Sequence, residues 1–358
     1  HLVLQNITQW LVEIKMKHRD RSLDIAKGIC MICMILVHSC NCWNRYPQVN
    51  KYTGVFFLVF FFFASGVYFK KIEWKKYISK RFKRLLVPYW IYCVVYILYL
   101  WKIRGFFYGM GKGQGLFLSF VSVIESLPVE VKDVSFFHLD TFGVGPIWFV
   151  NCIFVTNILY RIICDNKYRF PICILAAVIA TISQHYFLLP FNIQDALIGC
   201  MFMSMGDYGR NVYQRLRSLL LSDKYISQFL VVCICIIMYV FIINRFPAQW
   251  INLGGNIYNF ESLPACLLGF ALVIIVSVFM EKLKILDEIL EVYGKNSMFI
   301  LVMHSVDMLM VRKWGLVNWQ FIAVTLMGYP LIVYLKKRII CFIKTIRNYE
   351  ENYNEKNV

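Results

Sequence analysis

Lys27 and His38 stand eleven residues apart in one apolar run, Arg21 to Cys42, which reads RSLDIAKGICMICMILVHSCNC. An imidazole near neutral pKa can take a proton from an attacking group, and an ammonium can hold an anion. In a helix the two side chains share a stripe and lie about 16 Å apart along the axis. Asp24, Met31, Met34 and Asn41 fall on or near that stripe, and the other side is Ile, Cys, Leu and Val. Such a helix is suited to line something polar inside a bilayer. A second pair, His304 and Asp307, lies three residues apart in another apolar run and can interact on one helix face. A third, Arg81 and Arg84, ends the basic stretch KKIEWKKYISKRFKR, residues 70–84, where eight of fifteen residues are Lys or Arg. Two guanidinium groups on one face could hold phosphates bidentately.

Each group also has a bland reading. A buried histidine is commonly satisfied by a neighbouring helix, a His–Asp pair can be structural, and surface lysines anchor a chain to anionic lipid. Lys27 is near enough to the interface to extend its ammonium to water. Inside a membrane, however, ionisable residues are rare and usually face a cavity or a partner. Ser65, beside the run FFLVFFFFASG (residues 56–66), has no base near it in sequence and is better read with Gly66 as a site of close helix approach.

The elements that must position these residues are membrane helices. The chain has 358 residues, of which 59% are hydrophobic and 16% charged. Soluble globular proteins carry about a quarter charged residues. The pattern predicts an all-α, polytopic transmembrane bundle of about ten spans, near 24–42, 52–70, 85–101, 146–164, 170–189, 193–208, 226–244, 262–280, 296–311 and 319–335. Trp148 opens the fourth at interface depth, and Asp195 and Asp207 bracket the sixth. Between the third and fourth lies a long Gly- and aromatic-rich loop, 102–145, suited to a lid or an acceptor surface.

With the N-terminus inside, 28 of the 38 Lys and Arg fall in inner segments and 9 in outer ones, which places both termini in the cytoplasm. The same rule accounts for the net charge of +17. No zinc-finger spacing or aromatic–basic platform argues for nucleic acid. Most of the thirteen cysteines lie in apolar runs, where they behave as small hydrophobes, and no spacing suggests a metal site. Residues 1–20 read as a cytoplasmic or interfacial segment, 21–340 as the transmembrane domain and 341–358 as a cytoplasmic tail. Membrane lipid is the surrounding partner.

In their order these pieces resemble acyltransferase family 3, and within it the fucose 4-O-acetylase-like branch of polysaccharide O-acetyltransferases. The matching residues are Asp24-Ile-Ala-Lys27-Gly28, Lys27 and His38 with ten residues between them, Phe61 to Gly66, Arg81-Phe-Lys-Arg84 with Pro88-Tyr89, Trp148-Phe149, and Gly294-Lys-Asn-Ser297 to His304. Relatives often carry a His before the Phe run, where this chain has Phe57-Leu58-Val59. The resemblance implies acyl transfer from a cytoplasmic acyl-CoA, acetyl-CoA by default, to a hydroxyl of an extracytoplasmic or lipid-linked glycan, with no metal. It implies that His38 is the essential histidine and that Lys27 fills an Arg/Lys position. Arg81 and Arg84 would fill an Arg-x-x-Arg motif that holds the donor. His38 is then expected to act as general base, oriented by His304 or Asp307, or to carry the acyl group as a relay. Asp24, Asn41 and Trp148 are expected to bind substrate. A bacterial inner membrane is the expected location. The rival reading is a transporter or flippase whose polar cavity is lined by Lys27, His38 and His304.

Overall fold

The computed structural model describes residues 20–39, 47–102, 112–127, 143–222, 225–245, 260–284, 286–314, 325–336 and 338. The N-terminal segment and the tail therefore lie outside the described residues, apart from Asp20. Most of the described residues are helical, with no strand among them. In chain order the helices are α1 (Arg21–Ser39), α2 (Pro47–Thr53), α3 (Phe60–Val67), α4 (Trp74–Arg81), α5 (Val87–Lys102), α6 (Lys112–Glu125), α7 (Trp148–Ile163), α8 (Arg169–Ser183), α9 (Ile193–Tyr208), α10 (Arg210–Leu221), α11 (Tyr225–Arg245), α12 (Leu263–Leu283), α13 (Asp287–Lys295) and α14 (Ser297–Trp314). A last helix, α15, covers 325–336.

Among the described residues three helical stretches, Gly145–Ile163, Ile226–Arg245 and Phe260–Lys282, are long and apolar enough to cross a membrane on their own. The other expected spans are helical over at least part of their length, in shorter or more polar helices. The outer face of α11 is a row of exposed apolar side chains, among them Ile226, Phe229, Ile237 and Phe241, as a lipid-facing helix requires.

The hub is α1. Asp20 caps it, accepting the Leu23 amide at 3.1 Å, which satisfies one of the amides left bare at a helix start. It packs against α3, α12, α13 and α14. The sequence predicts a lipid-facing side and a polar side, and the structure differs. Leu23, Ile25, Cys30, Met31, Met34 and Ile35 are all buried. A helix that is apolar nearly all round sits in the middle of a bundle.

Two helix crossings are made by glycine. A Cβ on Gly28 of α1 would sit 2.0 Å from the Leu290 carbonyl oxygen of α13, and one on Gly294 would sit 1.7 Å from the Asp24 carbonyl oxygen. The backbones of α1 and α13 therefore touch directly. The same device joins α3 to α9, where a Cβ on Gly66 would meet Met203 O at 1.9 Å and one on Gly206 would meet Phe63 O at 2.0 Å. Small residues allow this approach between membrane helices.

Two expected elements change. The second expected span is not one helix: α2 and α3 are separated by turns over residues 54–59. Irregular backbone in a membrane protein must be buried, and Val55, Phe56, Phe57 and Val59 are. The stretch 102–145, read as a loop, contains α6. Gly113 and Gly115 hide it in the sequence. Its buried Ser119 and Ser122 donate to the carbonyls of Gly115 and Leu118, four residues back, so their hydroxyls are compatible with a packed helix. Tyr89 of α5 fixes the end of α6, donating to Val123 O at 2.8 Å and contacting Ser126 Oγ at 2.9 Å.

Candidate active site

A cavity of about 360 Å³ opens between the start of α1, the end of α3, α4 with the turn that follows it, and the start of α14. Five of its lining residues are cations: Lys27, Lys70, Lys80, Arg81 and Arg84. No carboxylate lines it among the described residues. Around it, at this end of the bundle, acids and bases also pair. Arg21 meets Asp287 at 2.8 Å and Glu291 at 3.4 Å, Arg217 meets Glu281 at 3.1 Å and Asp20 at 3.4 Å, and Lys71 meets Asp165 at 2.6 Å. The cavity wall is rich in basic side chains, one of them, Lys27, paired with an acid behind it.

Arg81 closes α4, and the chain then makes a π turn, Phe82–Leu86. The wider turn is a frequent feature of functional sites. It alters the α-helical relation of Arg81 to Arg84 that the spacing implies, yet both line the cavity. The Arg81 guanidinium lies 5.2 Å from the centre of the Tyr77 ring, and buried Tyr77 donates to Asn157 Oδ1 at 3.0 Å. Burial pushes the Tyr77 phenol above its ordinary pKa, and Arg81 offsets this only in part, so Tyr77 stays a neutral donor. Ser297 and Met298 bring the first turn of α14 to the wall.

Lys27 lines the same cavity, 2.6 Å from Asp24 and 5.4 Å from the centre of the Tyr68 ring. Asp24 is fully buried, so its visible role is to hold Lys27. Ser65 also lines the cavity, and its hydroxyl donates to Phe61 O at 2.8 Å.

The rim is set by Arg210. Its guanidinium donates to the carbonyls of Val67 at 2.9 Å, Gly66 at 3.4 Å and Phe69 at 2.7 Å, and so caps α3 just before Lys70. Asp207 holds Arg210 at 3.0 Å, Arg169 at 3.4 Å and the Tyr160 hydroxyl at 2.8 Å. An acid read from sequence as a span end is therefore the centre of a network. Arg210→Ala is expected to destabilise the protein by about 1.5–3 kcal/mol, the scale of hydrogen bonds to a charged group. Thermal unfolding in detergent checks this, with Arg210→Lys recovering part of the loss.

Further along α1 and α14 the two histidines meet. The His38 and His304 ring centres are 5.9 Å apart, tilted by 45°. His304 is fully buried and His38 half-buried. His304 lies two turns, about 10 Å, beyond Ser297 on α14. Its Nδ1 is 3.1 Å from the hydroxyl of Tyr329 on α15.

The expected site residues thus fall into two groups. Lys27, Arg81 and Arg84 share the cavity, with Asp24 behind Lys27. His38 and His304 face each other higher in the bundle. Between the two levels, Met31 and Met34 of α1 are packed in the core. Trp148 begins α7 after a turn at Gly145–Ile147 that packs on α14. It is buried, with its ring 5.7 Å from Phe149. Asp307 is on α14 one turn beyond His304, and its side chain lies outside the described residues, as does Asn41. Sequence reasoning missed Tyr68, Tyr77, Arg210 and Tyr329. The one signal for Arg210 was its place directly after the sixth span. The tyrosines carried none.

A family model described as an acyltransferase domain matches residues 20–336. No curated protein matches the chain, and neither does any solved structure.

Proposed function

The chain belongs to acyltransferase family 3, and on that premise we propose that it moves an acyl group, acetyl in the simplest case, from cytoplasmic acyl-CoA to a glycan hydroxyl. It is an integral-membrane acyltransferase. The acceptor in this reading is extracytoplasmic or lipid-linked, of the kind acted on by polysaccharide O-acetyltransferases, and the setting is a bacterial inner membrane. About ten spans with both termini inside would put the cation-lined cavity on the cytoplasmic side.

The observation that carries the proposal is that cavity. Coenzyme A bears a diphosphate and a ribose phosphate, so its recognition needs several cations. Arg81, Arg84, Lys80 and Lys70 supply them, beside the first turn of α14. Lys27 lies at the same cavity, about 16 Å along α1 from His38. An extended pantetheine arm has a length of that order; because Met31 and Met34 are packed in the core between the two levels, a thioester reaches the histidines only when that packing opens.

In the transfer step His38 takes the hydroxyl proton as the acceptor oxygen attacks the thioester carbonyl. The C–O bond forms, the C–S bond breaks, and the CoA thiolate leaves and is protonated. His304, with Asp307 one turn beyond, orients His38. A relay, in which the His38 imidazole first takes the acyl group, is distinguished by an acyl-histidine trapped by rapid quenching.

Labelled acyl-CoA binding to the purified chain tests the cavity. Arg81→Ala and Arg84→Ala are each expected to weaken binding by about tenfold or more, as loss of a charge-assisted contact does. Lys76→Ala, exposed and outside the cavity, should leave it unchanged. Unchanged binding in both arginine variants would remove CoA from this cavity.

A further inference from the structure

We propose that Tyr329 is a positioning residue for the histidine pair, a role that rests on the transfer reading above. Its hydroxyl lies 3.1 Å from His304 Nδ1, and the two rings meet edge to face with centres 6.4 Å apart. Tyr329 is 2% exposed and His304 is fully buried, so the contact is made away from water, where a hydrogen bond is hard to replace.

The contact does two things. It fixes the rotation of the His304 ring, and with it what that ring presents to His38 at 5.9 Å. It also biases the tautomer, because a hydrogen bond at one ring nitrogen decides the proton at the other. Tyr329 therefore acts through His304, not on the acceptor or the donor.

The placement of Tyr329 is itself built in. Tyr293 of α13 donates to the Leu326 carbonyl at 2.6 Å, which ties the start of α15 to α13. The same α13 is held to α1 by the Gly28 and Gly294 contacts. A closed frame results: α1 carries His38, α13 sets α15, and α15 sets His304 opposite His38. A tyrosine chosen only to fill space would have no need of a hydroxyl at this depth.

The test is a double-mutant cycle on the full chain in nanodiscs, with Tyr329→Phe and His304→Gln singly and together, and acyl-CoA plus a glycan acceptor as substrates. Tyr329→Phe keeps the ring and removes only the hydroxyl. We expect about a 5- to 10-fold fall in kcat, the scale of one hydrogen bond, with acyl-CoA affinity unchanged. In the His304→Gln background the same change is expected to cost nothing further. Equal losses in both backgrounds, or no loss in Tyr329→Phe alone, would overturn the role. A readout free of activity runs beside it: ¹⁵N spectra of histidine-labelled protein. The signal absent from His304→Gln should shift in Tyr329→Phe. An unshifted signal would overturn the contact, whereas a shift in a protein that transfers no acyl group would keep the contact and sink the transfer reading.

Discussion

His38→Ala is expected to lose acyl transfer by about 10²–10⁴-fold, the range for a positioned general base. The variant should express, remain monodisperse and still bind acyl-CoA. The cavity that would hold the phosphates lies about 16 Å away along α1, so donor binding and proton removal are separable. His38 is half-buried beside fully buried His304, so removing its ring opens space at the end of a cluster and not in the middle of the core. His38→Gln, which keeps a polar group of similar reach, should be equally inactive. Full turnover in either variant would move the base to another residue.

Gly294→Ala is expected to abolish the folded protein, and Gly28→Ala to do nearly the same. The added methyl on Gly294 would lie 1.7 Å from a backbone oxygen of Asp24. Close carbon–oxygen contacts fall at about 3.3–3.6 Å, so α1 and α13 would have to part by roughly 1.5 Å. That motion also disturbs the Arg21–Asp287 bridge at 2.8 Å and the seat of Lys27. Overpacking commonly costs about 1–3 kcal/mol where side chains can yield, and here the obstacle is backbone. Gly328→Ala is the control, since a Cβ there meets nothing within 4 Å. Fluorescence-detected gel filtration of the three variants decides it. A normal Gly294→Ala profile would contradict the crossing.

How far the sequence could be read depended on whether a feature was local. Lys27, His38 and His304 stood out because ionisable groups in apolar runs are rare, and the structure does place the two histidines side by side. The basic run held Arg81 and Arg84 in plain view, but the π turn between them breaks no sequence rule. Gly28, Gly66 and Gly294 were visible as residues while their purpose was not, because a crossing is defined by the partner helix. The amphipathic reading of α1 failed because Met31 and Met34 on the expected polar stripe pack as core residues. Tyr329 was one of 22 tyrosines, and only the fold brings it to His304.

The most direct test is CoA release by the purified wild-type chain in nanodiscs, supplied with acetyl-CoA, with and without a hydroxyl-bearing glycan. CoA release that needs both substrates, with the acyl group recovered as an ester on the glycan, is the predicted result. An acyl-CoA that is neither bound nor consumed, in a protein that instead carries the glycan across a liposome membrane, would contradict the account and make the cavity a transport path.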